Sequence, residues 1–355
     1  MPSHHVPTLR DVARQAGVSV STVSNYLRDY PYMSEKTRDR IANTINHLGY
    51  VRNEQASSLR SGKTHNITLC VPDLRQPYFG RIAEQIMAAA RYRGYSVIVK
   101  SSTYSRREEL EVLSQMGSHA SDGLIFNPVA MTEADVRAFA GDYPLVILGE
   151  RIFTAPAPHI EIDNTGGARA MVRHLLASGR RKIAVLGGSL EKQATSSRSL
   201  RTQGFLDEMH AQGVSVDPSL IIPCSSWTLS EGLRATKELF ESGARPDAIF
   251  ALNDPLAIGA MSELKVMGVS IPDDVHVVGF DNSDDSEYYN PTLTTVDPHS
   301  QEIATRAVDS LISQVYSGVR APHRHEVVES SLVFRESSPA TDAEMTDQYA
   351  TAGKA

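Results

Sequence analysis

Two hydrophobic periods divide the chain. In residues 8–27, apolar side chains at Leu9, Val12, Ala13 and Ala16 recur at the i, i+3, i+4, i+7 spacing of a helix buried along one face. Thr8 is placed to cap that helix and Gly17 to end it, because glycine enters the left-handed region at little cost. Ser19 can cap a second short helix whose Val23, Tyr26 and Leu27 turn inward. A third runs from about Ser34 to Leu48, with Ile41, Ile45 and Leu48 on one face. Two short amphipathic helices joined by a glycine turn form a helix-turn-helix unit. A generic helical hairpin is the other reading, but the outer face of the second helix is small and polar, as a groove-reading helix requires. Asn53 to Gly62 could add two helical turns, too short to be stable alone.

From Asn66 the period changes. Apolar runs at Ile67–Val71, Ser96–Val99, Gly123–Phe126, Leu145–Leu148, Ile183–Leu186, Ala248–Leu252 and Val275–Phe280 alternate with helical stretches such as Ala168, Met171, Val172, Leu175 and Leu176. Near-continuous apolar strands separated by helices predict parallel sheets covered on both faces. The expected architecture is a small all-α helix-turn-helix headpiece followed by an α/β body of two doubly wound parallel-sheet lobes. Headpiece and hinge take residues 1–64, the hinge helix about 53–61, and the body 65–338. Lobe 1 takes about 65–163 and 297–326, lobe 2 about 164–296 and 327–338. Residues 339–355, without Leu, Ile or Val, are expected to form a disordered tail.

Charge sharpens the division. The whole chain carries a net charge of −7, but residues 1–64 hold nine Lys/Arg against five Asp/Glu, a surplus of four positive charges. The remainder holds 26 Lys/Arg against 37 Asp/Glu, eleven negative overall. A basic head on an acidic body is the distribution of a polyanion-binding arm on a soluble module. No run approaches the roughly 18–20 apolar residues of a membrane span. The opening Met-Pro-Ser-His-His lacks the build of a secretory signal, and only Cys70 and Cys224 are present, Cys70 in an apolar run. A cytoplasmic protein with reduced thiols and no membrane partner is expected.

In open parallel sheets, ligands bind beyond the carboxyl ends of the strands. Residues in those positions are Tyr78 and Phe79, Ser101 to Thr103 with Ser102 central, Asn127, Glu150 and Arg151, then Asn253, Asp254 and Asp281. Arg201 and Trp227, the single tryptophan, join them as candidates. Carboxylates, amides and a guanidinium pair with vicinal hydroxyls, and aromatics cover a sugar ring. Each residue also has a plainer use. Trp227 could be core packing, Tyr78-Phe79 a helix-start staple, Asp281 a turn cap, and Arg201 a helix-surface partner of Asp207.

Thr8–Leu27, Ile41 to Asn53 and Ala56-Ser57-Ser58-Leu59-Arg60 together resemble the DNA-binding headpiece of the lac-repressor (LacI/GalR) family. The body resembles that family's effector domain, similar in fold to periplasmic sugar-binding proteins. It does so through Ile162-Asp163-Asn164, Arg201 with Gly204-Phe205, Asn253-Asp254, Val278-Gly279-Phe280-Asp281 and Pro291 to Val296. The resemblance implies that Val20, Ser21 and Asn25 face base edges while Thr8, Ser19, Thr22 and Ser24 hold phosphates. It implies that Leu59 wedges into the minor groove beside Ala56. It also implies that Arg201, Asp281 and Asn253 touch the effector. Ser57 departs from the arginine common at its position in the family.

The function expected is a sequence-specific transcriptional regulator, a homodimer on a pseudo-palindromic operator that represses carbohydrate-utilisation genes until a small sugar releases it. A nucleobase- or nucleoside-responsive regulator with a corepressor is the alternative, since Tyr78-Phe79 would also stack a purine. A sugar receptor without DNA binding fits the basic head poorly. An enzyme is not expected, and neither is a cofactor or metal. There is no Gly-x-Gly-x-x-Gly after the first strand and no Walker loop, and no Cys/His set has metal-ligand spacing. The tail lacks the leucine heptads of a tetramerisation helix, so a dimer is expected.

Overall fold

The computed structural model describes residues 7–27, 30–50, 63–116, 120–191 and 195–346. The chain forms two compact units, Met1–Thr64 and His65–Ala355.

In the first unit, α1 (Leu9–Ala16), α2 (Val20–Tyr26) and α3 (Glu35–Leu48) enclose a small core of Val12, Ala13, Ala16, Val23, Ile41 and Tyr50. The caps explain the boundaries. Thr8 and Asp11 form a reciprocal capping box on α1, and Gly17 ends it at φ 61°. The Ser19 hydroxyl accepts from the Thr22 N–H at 3.1 Å. Ser34 stands at the N-cap of α3, but its hydroxyl meets that of Thr37 at 2.9 Å and not a backbone N–H. The hinge expected at about 53–61, with Ala56, Ser57 and Leu59, lies outside the described residues.

The second unit begins with β1 (Asn66–Val71), α4 (Pro77–Tyr92), β2 (Ser96–Ser101), α5 (Arg106–Gln115), β3 (Leu124–Phe126), β4 (Leu145–Leu148) and β5 (Pro158–Ile162). It continues through α6 (Asn164–Ala177), β6 (Ile183–Leu186), α7 (Ser197–Ala211), β7 (Ile221–Ile222), α8 (Leu229–Glu241), β8 (Ala248–Ala251), α9 (Asp254–Val266) and β9 (His276–Val278). The last elements are α10 (Asp285–Tyr288), β10 (Thr295–Asp297), α11 (Ser300–Ser317), β11 (Arg324–Val328) and β12 (Ser331–Val333). A six-stranded parallel sheet has the order β11-β5-β4-β3-β1-β2, and a four-stranded parallel sheet the order β7-β6-β8-β9. β10 and β12 pair antiparallel where the chain passes between the two sheets.

Alternation along the first sheet sorts its core. Ile67, Leu69, Val71, Ile125 and Val146 pack with Ile82 and Ile86 of α4 and Val308 and Leu311 of α11. Cys70, Leu124, Phe126 and Ile147 pack on the other side with Phe139 and Met131. Both cysteines are free and buried, and burial pushes the Cys70 thiol up to about 12. Among the described residues no helix is long and apolar enough to cross a membrane.

Two expectations are corrected. β5, β7, β10, β11 and β12 were not legible as apolar runs. β5 carries His159 and Glu161 between its apolar residues, and β11 opens Arg324-His325-Glu326. The tail expected from 339 onward is ordered as far as 346, with a helical turn at 342–346. His174, buried on α6, meets Glu344 Oε2 at 2.9 Å through Nδ1 and Ser338 Oγ at 2.7 Å through Nε2. Thr341 donates to the same carboxylate at 2.8 Å. The anchor is polar, so a search for apolar periodicity passes over it.

Candidate nucleic-acid interface and effector cleft

On the first unit, α2 turns Val23 fully inward and leaves Ser19, Val20 and Ser21 exposed, with Thr22, Ser24 and Asn25 half-buried beside them. Val20 is 40% exposed, which for a valine flanked by hydroxyls marks a surface face and not a core seam. The Ser19 hydroxyl lies 2.7 Å from those of both Ser21 and Thr22. Thr8, exposed, gives its hydroxyl to Asp11 at 2.6 Å. One amide, one apolar side chain and a cluster of hydroxyls on a single helix face can read base edges and donate to phosphate oxygens nearby.

In the second unit the polar residues after the strands converge. Glu150 follows β4, and its Oε1 accepts from Asn164 Nδ2 at 2.6 Å. The Asn164 Oδ1 accepts from Arg201 Nε at 2.8 Å. Arg201, on α7, also donates to the Leu252 carbonyl at 2.5 Å and to Asp281 Oδ1 at 3.1 Å. Its guanidinium carbon lies 3.5 Å from the centre of the Phe280 ring. A planar cation stacked on an aromatic and bonded along its edges loses little further entropy when it meets a ligand.

Asp281 sits at φ 105°, a backbone conformation costly for a side-chain-bearing residue. Burial pushes its carboxyl up to about 7. Arg201 pulls it down, while Asp254 and Glu150 add to the rise. The Tyr78 phenol, on α4, is pushed up by burial and then by Glu150 and Asp281, with Arg201 opposing. A side chain of the helix packed on the first sheet thus shares its electrostatic surroundings with the cluster on the second. Phe79 meets Tyr78 edge to face, ring centres 5.2 Å apart.

Trp227 stands 5.5 Å from the Arg201 guanidinium and 6.0 Å from that of Arg198. Its indole N–H is buried with no hydrogen-bond partner. Gly187, at φ 87°, lets it approach, since a Cβ there would stand 2.9 Å from Trp227 Nε1. Asn253 caps α9 through the Leu256 N–H at 3.0 Å and donates to the Trp227 carbonyl at 3.1 Å, so it positions the indole-bearing loop. Asn127 spends its amide on the Leu148 carbonyl at 2.7 Å, and Ser102 is buried beneath the strand ends. Asp254 accepts from the Ser283 N–H, Ser286 and Thr295 at 2.6, 2.7 and 2.6 Å and anchors the 281–286 loop.

The linked set is therefore Glu150, Arg201, Trp227, Asn253 and Asp281 with Tyr78 beside it. Asn127 and Ser102 form part of its walls. Arg201 pairs with Asp281, and Asp207 takes Gln203 instead at 2.6 Å. Asn164 and Phe280 were not among the candidate site residues, although each stands within a quoted motif, Ile162-Asp163-Asn164 and Val278-Gly279-Phe280-Asp281. No group of three or more metal-ligating side chains is present among the described residues. The arrangement offers two carboxylates, a fixed guanidinium and aromatic faces, a set that can donate to, accept from and stack on a small polar ligand.

An exposed-face helix-turn-helix unit followed by a two-sheet body with a buried polar cluster at its strand ends defines a ligand-responsive DNA-binding regulator. Residues 8–53 match the bacterial regulatory proteins of the lacI family, and residues 172–338 a periplasmic binding protein-like domain. The chain is 32% identical over 293 residues to the HTH-type transcriptional regulator DegA of Bacillus subtilis, covering 81% of this chain and 86% of that protein. The lac repressor dimer bound to operator and the anti-inducer ONPF is similar at 26% identity, with a TM-score of 0.80 over 95% of this chain and 100% of that one. A transcriptional regulator CelR–cellobiose complex is similar at 26% identity and a TM-score of 0.68, over 93% and 99%. The chain belongs to the LacI family of DNA-binding transcriptional regulators.

Proposed function

We propose that this regulator represses carbohydrate-utilisation genes as a homodimer on a pseudo-palindromic operator, and leaves the operator when a small sugar enters the cleft. The observation that carries the sugar reading is the Arg201–Asp281 pair, buried, with the guanidinium stacked on Phe280 and a second carboxylate, Glu150, reached through Asn164. Such a pair supplies a donor fork and an acceptor side by side, matching two adjacent hydroxyls. Cellobiose in the similar CelR complex supports the same ligand class. Val20, Ser21 and Asn25 would then read bases while Thr8, Ser19, Thr22 and Ser24 hold phosphates. Leu59, beside Ala56, would wedge the minor groove.

Titration calorimetry of the full chain with mono- and disaccharides, sugar phosphates, purine bases and nucleosides tests this. The expected result is binding by a sugar or sugar phosphate, lost in Asp281→Ala, with operator release measured by fluorescence anisotropy. Binding of a purine or nucleoside with no response to any sugar would replace the sugar reading by the nucleobase one.

A further inference from the structure

The loop that carries Asp281 is tied from both lobes. Asp281 and Asn282 occupy consecutive positive-φ positions, 105° and 49°, the second of which asparagine enters readily while the first is costly for a residue with a side chain. From the second lobe and the crossover strands, the Asp281 N–H donates to Val296 O at 2.9 Å and Asn282 Nδ2 to Asp297 at 3.0 Å. Arg335 holds Asn282 Oδ1 at 2.9 Å and Glu287 at 3.0 Å. From the first lobe comes a cation. Arg81, on α4 one turn after Tyr78, donates to the Asn282 carbonyl and lies 3.3 Å from Asp284.

We infer that Arg81 is the latch between the lobes, a positioning residue that sets how far the cleft stands open and so how strongly a ligand on Asp281 is felt by the first lobe. The Asp284 carboxylate is 85% exposed and the ion pair is screened by water, so it contributes little to the latch. The carbonyl bond does the holding, because it grips the backbone unit next to the ligand-contacting side chain. A ligand that draws Asp281 into the cleft moves the Asn282 carbonyl against or toward Arg81, and the lobes follow. Two discrete arrangements biased by both sites are what coupling between them requires. The consequence for regulation rests on the effector-cleft reading, but the latch does not.

The test needs no ligand. Cys70 and Cys224 are both buried, so cysteines introduced at exposed Arg107 on α5 and Lys237 on α8 accept spin labels selectively. Labelled full-length chains are diluted with unlabelled ones, and the distance between lobes is read by pulsed dipolar spectroscopy. The wild-type background should give one short distance. Arg81→Ala should add a longer component, and Arg81→Glu, which faces Asp284 with like charge, a larger one. A distribution unchanged or shortened in either variant overturns the latch. Because Arg81 is partly exposed on a helix, both variants should unfold at the wild-type temperature, separating an opened cleft from a weakened fold. A failed sugar screen would leave this measurement standing.

Discussion

Asp281 sets two electrostatic effects against each other, and Asp281→Asn shows which wins. Burial, helped by Asp254 and Glu150, lifts its carboxyl from 3.8 to about 7, while Arg201 at 3.1 Å opposes the rise. Between those two pH values the folded protein therefore holds more protons at this site than the unfolded chain does. A folded-state excess of protons means that stability falls as pH rises through the window. The loss is about 1.4 kcal/mol per pH step while the excess lasts, or about 4 kcal/mol in all by pH 8. Asparagine keeps an oxygen for Arg201 but cannot ionise. Any packing change, or change in the partner of Arg201, shifts the variant alike at every pH and cancels from the trend. Urea unfolding of both proteins at pH 4, 5, 6, 7 and 8 should show Asp281→Asn gaining on the wild type up to pH 7 and running parallel above it. Parallel curves throughout would show that the Arg201 pairing balances burial, a wild type that gains on the variant as pH rises that it outweighs burial, and either would refute the reasoning.

The head yields two further expectations. Ser19→Ala removes the hydroxyl that accepts from Thr22 N–H and should lower headpiece stability by about 1 kcal/mol in thermal unfolding. Asn25→Ala should cost roughly 1–3 kcal/mol of discrimination at one base pair, measured by anisotropy against operator and random duplex at one fixed salt concentration. Equal weakening on both duplexes would remove Asn25 from base reading.

The sequence alone determined what depends on neighbours within a few turns. The caps at Thr8 and Ser19, the glycine stop at Gly17 and the inward Val23 follow from local backbone chemistry, which acts over three or four residues wherever the segment lies. The fully apolar central strands were legible for a similar reason, since burial on both faces leaves no polar position to confuse the period. The strand-end rule also gathered Glu150, Asn253 and Asp281 before any contact was known, and Arg201 joined them as a separate candidate from within a helix.

Tertiary structure decided what depends on partners far along the chain. β5 and β11 are held by pairing between residues more than 160 apart in number, such as Glu326 with Ile160, so their polar side chains do not exclude them from the sheet. The Glu344–His174 anchor spans a similar separation, and no periodicity announces a single polar contact. Whether Arg201 met Asp207 or Asp281 turned on the residues that follow β8 and β9, where the Leu252 carbonyl and the Phe280 ring fix the guanidinium. Local pattern selects the elements because hydrogen bonds and caps are short-ranged. The cleft needs the whole fold because burial and charge act between whatever surfaces the topology brings together.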